Sequence, residues 1–271
     1  MEQIPFTKVV GTGNDFILVD GRKIPSLNPT PARWATVWCD RKTGVGADGL
    51  LWILPSRRGN ARMRIFNPDG SEASMCGNGL RCVAWYLYMK DHGRTTHVIE
   101  TGAGLITTEV VKKERTRIYL TPPKEFRLGL KLTVLGKRLD WHAVNTGVPH
   151  AVLFSSRIDK LDLGKLGPAV RFHKIFKPAG ANVNLVQIQT PHRIAVRTYE
   201  RGVEGETMAC GTGSVACVVI GASLGKLKPP VSVLTAGGER LSVGFRQERK
   251  LWEGLYLEGP ARILFEGVIR Q

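Results

Sequence analysis

The sequence contains one unusual segment twice, and this duplication narrows the possible architectures more than composition does. Residues 64–88 read RIFNPDGSEASMCGNGLRCVAWYLY, and residues 197–221 read RTYERGVEGETMACGTGSVACVVIG. Both pass from an Arg-x-aromatic, strand-like piece through a turn to Cys-Gly-x-Gly and then to an apolar run. The copies stand about half a chain length apart, whereas solenoid repeats recur every ~20–50 residues. The duplication therefore predicts two similar domains in the 271-residue chain.

Each copy of the motif is predicted to open a buried helix. After Cys76 the apolar residues recur at helical spacing, and Gly93 is placed to end the helix. The second helix, 214–224, is nearly all apolar or small and ends at Gly225. We expect each helix to lie inside a wrapped sheet, because a helix that is apolar all round must be buried. The expected strands are 16–20, 50–54, 63–66, 98–100, 105–111, 117–120, 142–145, 151–154, 184–189, 193–199, 231–234, 241–245, 255–258 and 263–266.

A cysteine at the start of a helix, followed by glycines, supports a particular chemistry. Unpaired N–H groups and the positive end of the helix dipole lie there, and glycine lets a ligand approach the backbone. The same field favours the thiolate form of the cysteine. Two such sites, one per domain, are expected to flank one small molecule in an interdomain cleft. One sulfur then removes a proton and the other delivers one from the opposite face, which inverts a stereocentre without a cofactor.

The alternative interpretation is that Cys76 and Cys210 are small buried hydrophobic residues, as free cysteines commonly are. Their matched positions in a duplicated motif favour the reactive role. Cys39, Cys82 and Cys217 are interpreted as ordinary core residues. No histidine forms H-E-x-x-H or pairs with cysteines at zinc spacing, so we expect no metal site.

Composition argues against several classes of function. The chain has 39 Lys and Arg against 23 Asp and Glu, a net charge of +16, but these residues are spread along its length. Without an RRM, KH or zinc-finger signature, nucleic acid is not an expected partner. No apolar stretch approaches the ~20 residues of a membrane span, and no secretory signal opens the sequence. Five cysteines without the spacing of a disulfide framework favour a cytoplasmic location.

Residues 44–49 fit G-x-G-x-x-G but follow no strand, so we expect no dinucleotide site there.

Several motifs in a fixed order resemble the diaminopimelate epimerase family. They are GTGNDF at 11–16, FNPDGSE at 66–72, MCGNG at 75–79, PH at 149–150, ANVN at 181–184, YERG at 199–202 and ACGTG at 209–213. The resemblance runs essentially end to end. It implies cofactor-independent interconversion of LL- and meso-2,6-diaminopimelate, in the synthesis of lysine and cell-wall (peptidoglycan) precursors, by a homodimeric enzyme.

The resemblance also implies the fold, an α/β (α+β) architecture. It consists of two pseudo-symmetric mixed β-barrel-like domains, each wrapped on a central helix. The N-terminal half is then expected to span 1–120 and to be completed by the C-terminal strand 261–271. The C-terminal half is expected to span 121–260.

A role for each matching residue follows from the same resemblance. Cys76 and Cys210 look like the acid/base pair, and His150 and Glu200 like groups that assist the thiols and bind the reacting amino group. The residues expected to hold the reacting carboxylate through backbone amides are Gly77, Asn78, Gly211 and Thr212. The residues expected to bind the distal end of the substrate are Asn14, Asn67, Asn182 and Arg201. These residue types suit the task, because Asn both donates and accepts and Arg grips a carboxylate in a bidentate fork.

Two positions depart from some family members. Gly49 stands where some carry Gln, and Val148 stands where some carry Asn before Pro-His. Both changes fall on expected substrate contacts, so they bear on how the distal end is held and not on the acid/base pair.

Two other functions are compatible with parts of the sequence. A related two-cysteine racemase of proline or hydroxyproline is one, although the three asparagines and Arg201 favour a substrate with a second amino-acid end. A non-enzymatic, basic binding protein that kept the fold is the other, and the retention of both cysteines in matched sites argues against it.

Overall fold

The computed structural model describes residues 3–24, 30–248 and 251–270, and the chain divides into two compact units. Unit 1 comprises Met1–Tyr119 together with Glu258–Gln271, and unit 2 comprises Leu120–Leu257. Each unit contains a curved mixed sheet, an enclosed helix and a shorter outer helix. The prediction of an α/β fold built from two similar domains is confirmed.

The strands and helices are numbered in chain order. Strands β1 to β8 are Gln3–Gly11, Asn14–Asp20, Gly49–Leu54, Ala61–Phe66, Glu72–Ala73, Thr96–Thr101, Gly104–Lys112 and Arg115–Tyr119. Strands β9 to β18 are Lys124–Val134, Lys137–Asn145, Pro149–Phe154, Asn182–Thr190, Arg193–Glu200, Gly205–Thr207, Val231–Leu234, Arg240–Glu248, Leu251–Pro260 and Arg262–Arg270. Helices α1 to α4 are Pro31–Trp38, Gly77–Lys90, Leu163–Arg171 and Gly211–Ser223.

In unit 1 the strands pair in the order β18-β1-β2-β3-β4-β6-β7-β8. The β2–β3 and β4–β6 pairs are parallel and the others are antiparallel, with β5 beside the far end of β4. Helix α2 contacts strands at both ends of this series, including β18 and β8. The sheet therefore curls around α2, as the apolar helix requires.

Unit 2 repeats this succession with the strands β9-β10-β11-β12-β13-β15-β16. Its parallel pairs, β11–β12 and β13–β15, correspond to β2–β3 and β4–β6. Helix α4 contacts β10, β11, β12, β13 and β16. In unit 2, β9 pairs with β10. At the equivalent position in unit 1, β18 pairs with β1.

Strand β3 is buried on both faces because a helix covers each one. Leu50 and Trp52 pack against α1 in one core cluster, with the rings of Trp34 and Trp52 5.0 Å apart. Leu51 lies on the opposite face against Gly79 of α2. In unit 2, α3 covers the outer face of β12 through an equivalent apolar cluster.

Both enclosed helices agree with the sequence predictions. Helix α2 is followed by Gly93 at φ +77°, and α4 by Gly225 at φ +70°, so both glycines supply the left-handed backbone that commonly follows a helix end. Cys39, Cys82 and Cys217 are buried, which confirms their interpretation as core residues. Within the described ranges, no helix is both long enough and apolar enough to span a membrane.

Candidate functional site

The two motif cysteines occupy the same local structure in their respective units. Cys76 is the N-cap of α2 at φ −140° and ψ 117°, and Cys210 is the N-cap of α4 at φ −116° and ψ 112°. Each sulfur accepts a hydrogen bond from the third residue of its helix, Gly79 or Gly213, at 3.4 Å. Since the first N–H groups of a helix have no partner within it, each cap combines a sulfur with free backbone donors.

Packing explains why the third helix position is glycine in both copies. A Cβ on Gly79 would come within 2.8 Å of Leu51 Cδ2, and a Cβ on Gly213 would collide with Asn184 Oδ1. The helix therefore begins tightly against the neighbouring strand in each unit.

In unit 1, hydrogen bonds join two of the expected binding residues to each other. Asn78 donates from Nδ2 to Asn14 Oδ1 at 2.6 Å, and Asn14 donates from Nδ2 to Asp48 Oδ2 at 3.0 Å. Arg81, which is 0% exposed, donates to Asn78 Oδ1 at 2.6 Å. These hydrogen bonds fix which end of each asparagine amide donates and which end accepts.

Sequence analysis missed Asp48 and Arg81. Asp48 lies in the glycine-rich segment 44–49, whose glycines are explained by the fold. A Cβ on Gly44 would collide with backbone atoms at the end of α1, and Gly46 has a φ of +77°. The sequence feature that could have indicated this role was the presence of an acidic residue, Asp48, in that segment.

Asn67 is placed differently from Asn14 and Asn78. It follows β4 in an exposed turn, where its Nδ2 donates to Ser71 Oγ at 2.9 Å. Its side-chain amide therefore contributes to the conformation of its own turn.

In unit 2, Glu200 lies beside the thiol of Cys210. Its Oε1 accepts a hydrogen bond from Thr207 Oγ1 at 2.6 Å, and its carboxylate also accepts one from the thiol. Burial raises the pKa of Glu200, an effect opposed by these two hydrogen bonds. The carboxylate is thus placed to exchange a proton with the sulfur.

The same surroundings favour the protonated form of Cys210. Burial raises the pKa of this thiol first, and the negative charge of Glu200 raises it further. The Thr212 hydroxyl, 3.6 Å from the sulfur, and the Gly213 N–H act in the opposite direction. The net effect is a pKa well above that of an ordinary thiol.

His150, Asn182 and Arg201 form a second group in unit 2. His150 in β11 is 0% exposed and pairs in register with Asn182 of β12, whose Oδ1 accepts the Arg201 backbone N–H at 2.7 Å. Burial and, to a lesser degree, the charge of Arg201 lower the pKa of His150 to about 3, so this imidazole is neutral. The Arg201 guanidinium donates to the Ala179 carbonyl at 3.3 Å and forms no ion pair with any described residue.

The two departures from the family pattern occupy defined places. Gly49 pairs with Phe16 in the parallel β2–β3 pair, as Asn182 pairs with His150 in β11–β12. Gly49 is therefore the counterpart of Asn182 in the repeat, and a Cβ there would come within 2.9 Å of the Phe66 carbonyl oxygen. Val148 accepts a hydrogen bond from the Thr146 N–H at 3.2 Å in the turn before β11.

The difference between the two thiols predicts unequal reactivity toward iodoacetamide. Cys76 is partly exposed, whereas Cys210 is buried with a raised pKa, and the thiolate is the reacting form. We expect Cys76 to be alkylated first and Glu200→Gln to accelerate alkylation of Cys210, because removing the carboxylate charge lowers that thiol's pKa. Mass spectrometry of each cysteine-containing peptide against time measures both rates. Equal rates in the wild type, unchanged by Glu200→Gln, would contradict this account.

Comparisons with known proteins indicate one family for this chain. A family model described as diaminopimelate epimerase matches residues 6–126 and 142–264. A diaminopimelate epimerase of Methanocella arvoryzae is 41% identical over 281 residues, covering 99% of this chain and 98% of that protein. The diaminopimelate epimerase of Aquifex aeolicus is 40% identical over 272 residues, covering 97% and 96%.

Solved structures of other proteins share the fold. A phenazine biosynthesis protein of the PhzF family from Bacillus anthracis has a TM-score of 0.74 at 17% identity, with both chains covered completely. A hydroxyproline epimerase from Agrobacterium vitis has a TM-score of 0.69 at 16% identity, covering 99% of this chain and 91% of that one. At these identities the likeness concerns the fold alone.

Proposed function

Because the chain belongs to the diaminopimelate epimerase family, we propose that it interconverts LL- and meso-2,6-diaminopimelate without a cofactor. The observation that carries this proposal is the matched pair of helix N-caps at Cys76 and Cys210. A duplicated site of this kind provides two sulfurs, each with backbone donors beside it. Inversion of one carbon needs two proton-exchanging groups.

The proposed reaction begins with Cys210 as the thiol and Cys76 as the thiolate. The thiolate removes the proton from the α-carbon, and the thiol delivers its own proton to the other face of the resulting carbanion. After one turnover Cys76 carries a proton and Cys210 has lost one, so the reverse reaction uses the same groups in exchanged roles. Glu200, hydrogen-bonded to Cys210, assists the return of the starting protonation state and binds the reacting amino group.

Backbone donors stabilise the charge that develops in this reaction. We assign the reacting carboxylate to the first-turn N–H groups of α2 and α4, at Gly77, Asn78, Gly211 and Thr212. Fixed donors at helix N-termini stabilise negative charge without reorganising during the reaction. This arrangement gives the residues of the chain the role that a cofactor has in other amino-acid racemases.

The distal amino-acid end is assigned to Asn14, Asn67, Asn182 and Arg201. The guanidinium of Arg201, which forms no ion pair with a described residue, suits a carboxylate, and Asn182 Oδ1 accepts the Arg201 backbone N–H. His150 lies in register with Asn182 and, like Glu200, is assigned to assist the thiols and the reacting amino group. The reaction belongs to the synthesis of lysine and peptidoglycan precursors, in a cytoplasmic setting that the five free cysteines support.

The experiment that tests the proposed function is an assay of the purified protein with LL-diaminopimelate and with proline. We expect epimerisation of diaminopimelate, with one solvent deuterium incorporated at the inverted carbon in ²H₂O. Racemisation of proline at an equal rate would favour the racemase alternative, and inactivity on both would favour a binding protein.

We also propose that the protein is a homodimer formed through β18. Leu264, Phe265 and Val268 on this strand are 54%, 50% and 53% exposed. A cavity of about 400 Å³ beside Val268 is lined by the apolar Phe6 and Leu18 and by the charged Asp20, Lys90 and Glu266, among others. An exposed apolar surface of this kind is typical of an interface, and a second copy of the chain presents a matching apolar surface.

The variant Leu264→Arg is expected to convert this dimer to monomer. The introduced charge would have to be buried at the interface without a partner. Sedimentation velocity measures the change, and Val37→Arg on α1, where Val37 is 55% exposed, is the matched control. A wild-type monomer, or a dimer unaffected by Leu264→Arg, would exclude this interface.

A further inference from the structure

The hydrogen bonds of Asn184 determine the orientation of its side-chain amide. This residue lies in β12, is 0% exposed, and donates from Nδ2 to the Ala151 carbonyl oxygen at 3.0 Å. Its Oδ1 accepts a hydrogen bond from Thr198 Oγ1 at 3.0 Å. Turning the amide over would place its oxygen against the Ala151 carbonyl oxygen, which is repulsive, so Nδ2 must face Ala151.

The second hydrogen of this Nδ2 is directed at His150, whose Nδ1 lies 3.2 Å away. Since an Asn amide nitrogen only donates, Nδ1 must accept, and a neutral imidazole then carries its single proton on Nε2. We propose that Asn184 is a positioning residue that holds His150 as the tautomer protonated at Nε2. This inference deepens the proposed function and rests on it.

The repeat in unit 1 shows that the fold itself does not require these polar groups. The register of β2, β3 and β4 equates Phe16 with His150, Leu51 with Asn184 and Ile65 with Thr198. Leu51 and Asn184 also lie against the corresponding glycines, Gly79 and Gly213. A buried apolar cluster under one cysteine-capped helix is therefore replaced by a buried hydrogen-bonded cluster under the other.

The assigned tautomer defines what His150 contributes. Its Nε2 is buried and forms no hydrogen bond with any described residue, and a buried donor left unpaired is unfavourable. Burial and the nearby charge of Arg201 keep the ring neutral. His150 therefore offers an N–H to an acceptor on the bound substrate and does not act as a base through Nε2.

The direct test is the ¹⁵N NMR spectrum of protein labelled at its six histidines, with the His150 signals identified by their loss in His150→Gln. We expect wild-type Nδ1 to resonate as an unprotonated ring nitrogen and Nε2 as a protonated one. A proton on Nδ1, or on both nitrogens, would overturn the inference. This readout does not depend on turnover and remains decisive if the variants below fail to fold.

Two variants test the role of Asn184 itself. Asn184→Leu, which introduces the residue of the unit 1 repeat, is expected to bring the two nitrogen signals together by mixing the tautomers. It should also lower kcat/KM for diaminopimelate by about 10–100-fold, the range typical when the hydrogen-bonding partner that orients a metal-ligating histidine is removed. Thr198→Val removes a hydrogen bond from the same amide but keeps both Nδ2 contacts, so the tautomer should not change.

The outcomes separate this inference from the proposed function. A wild type that turns over diaminopimelate with His150 protonated at Nδ1 would overturn the role of Asn184 and leave the epimerase proposal standing. An inactive wild type with the expected tautomer would overturn the epimerase proposal instead. An Asn184→Leu protein with unchanged spectrum and unchanged kcat/KM would refute the positioning role, as would a tautomer shift of equal size in Thr198→Val.

Discussion

Replacing either Cys76 or Cys210 by alanine is expected to reduce epimerisation of diaminopimelate by at least ~10²–10⁴-fold, the contribution typical of a proton-transfer group. Each variant keeps one sulfur, so one face of the α-carbon loses its proton donor or acceptor. The measurement is kcat for conversion of LL- to meso-diaminopimelate, with circular dichroism to verify the fold. Exchange of the α-proton with solvent, without inversion, is the expected residual activity.

The matched controls are Cys82→Ala and Cys217→Ala, one in each of the same two helices. Both side chains are 0% exposed and lie inside the helices, six and seven residues after the cap cysteines, so their removal creates a small cavity and lowers stability. Turnover per folded molecule should be unchanged in both. Near wild-type turnover in Cys76→Ala or Cys210→Ala would refute the two-cysteine mechanism.

The second large effect is expected for Arg201→Lys, which should lower kcat/KM for diaminopimelate by about 10²-fold. The planar fork of arginine binds a carboxylate through two parallel hydrogen bonds, whereas lysine offers a point charge, and a shift of even ~1 Å in the substrate can cost ~10²-fold. The positive charge is retained, so a loss of activity would report geometry. Steady-state kinetics of both proteins provide the measurement.

Proline serves as the substrate control for Arg201, because it has no second amino-acid end. We expect the wild type to act on it very poorly and Arg201→Lys to leave that low rate unchanged. Should the wild type racemise proline as fast as it epimerises diaminopimelate, with no effect of Arg201→Lys on either, the distal site assignment would be wrong.

Sequence information was sufficient for the features that depend on local patterns. The duplicated Cys-Gly-x-Gly motif predicted two domains and two buried helices, and both helices begin directly after the cysteines. Helices α1 and α3 were not predicted, because they are only eight and nine residues long, and Pro168 within α3 argues against a helix there. Strand β9 was also missed, although its apolar residues occupy every second position from Phe126 to Val134 and so carried the pattern of a strand, even though most of its side chains are exposed.

The hydrogen-bonding partners in the site could not be predicted in the same way. Asn14 bonds to Asp48, 34 positions away, and accepts from Asn78, 64 positions away. Such pairings depend on the register of β2 against β3 and on how α2 packs against the sheet. The residue pattern of a single strand or helix specifies neither. Asn184 looked like an ordinary polar position in a strand until its face of β12 was known. The predicted roles of the site residues remain predictions that the variants above test.

The pairing of β18 with β1 has a consequence for synthesis on the ribosome. Gln3 of β1 lies opposite Arg270 of β18. One edge of β1 therefore lacks its hydrogen-bonding partner until β18 has been synthesised. Unit 2 is one continuous stretch, Leu120–Leu257, whereas unit 1 is assembled from two stretches that the whole of unit 2 separates, so unit 1 is completed only when Glu258–Gln271 has been made. Until release, β1 presents an open apolar edge of the kind that pairs wrongly with other chains.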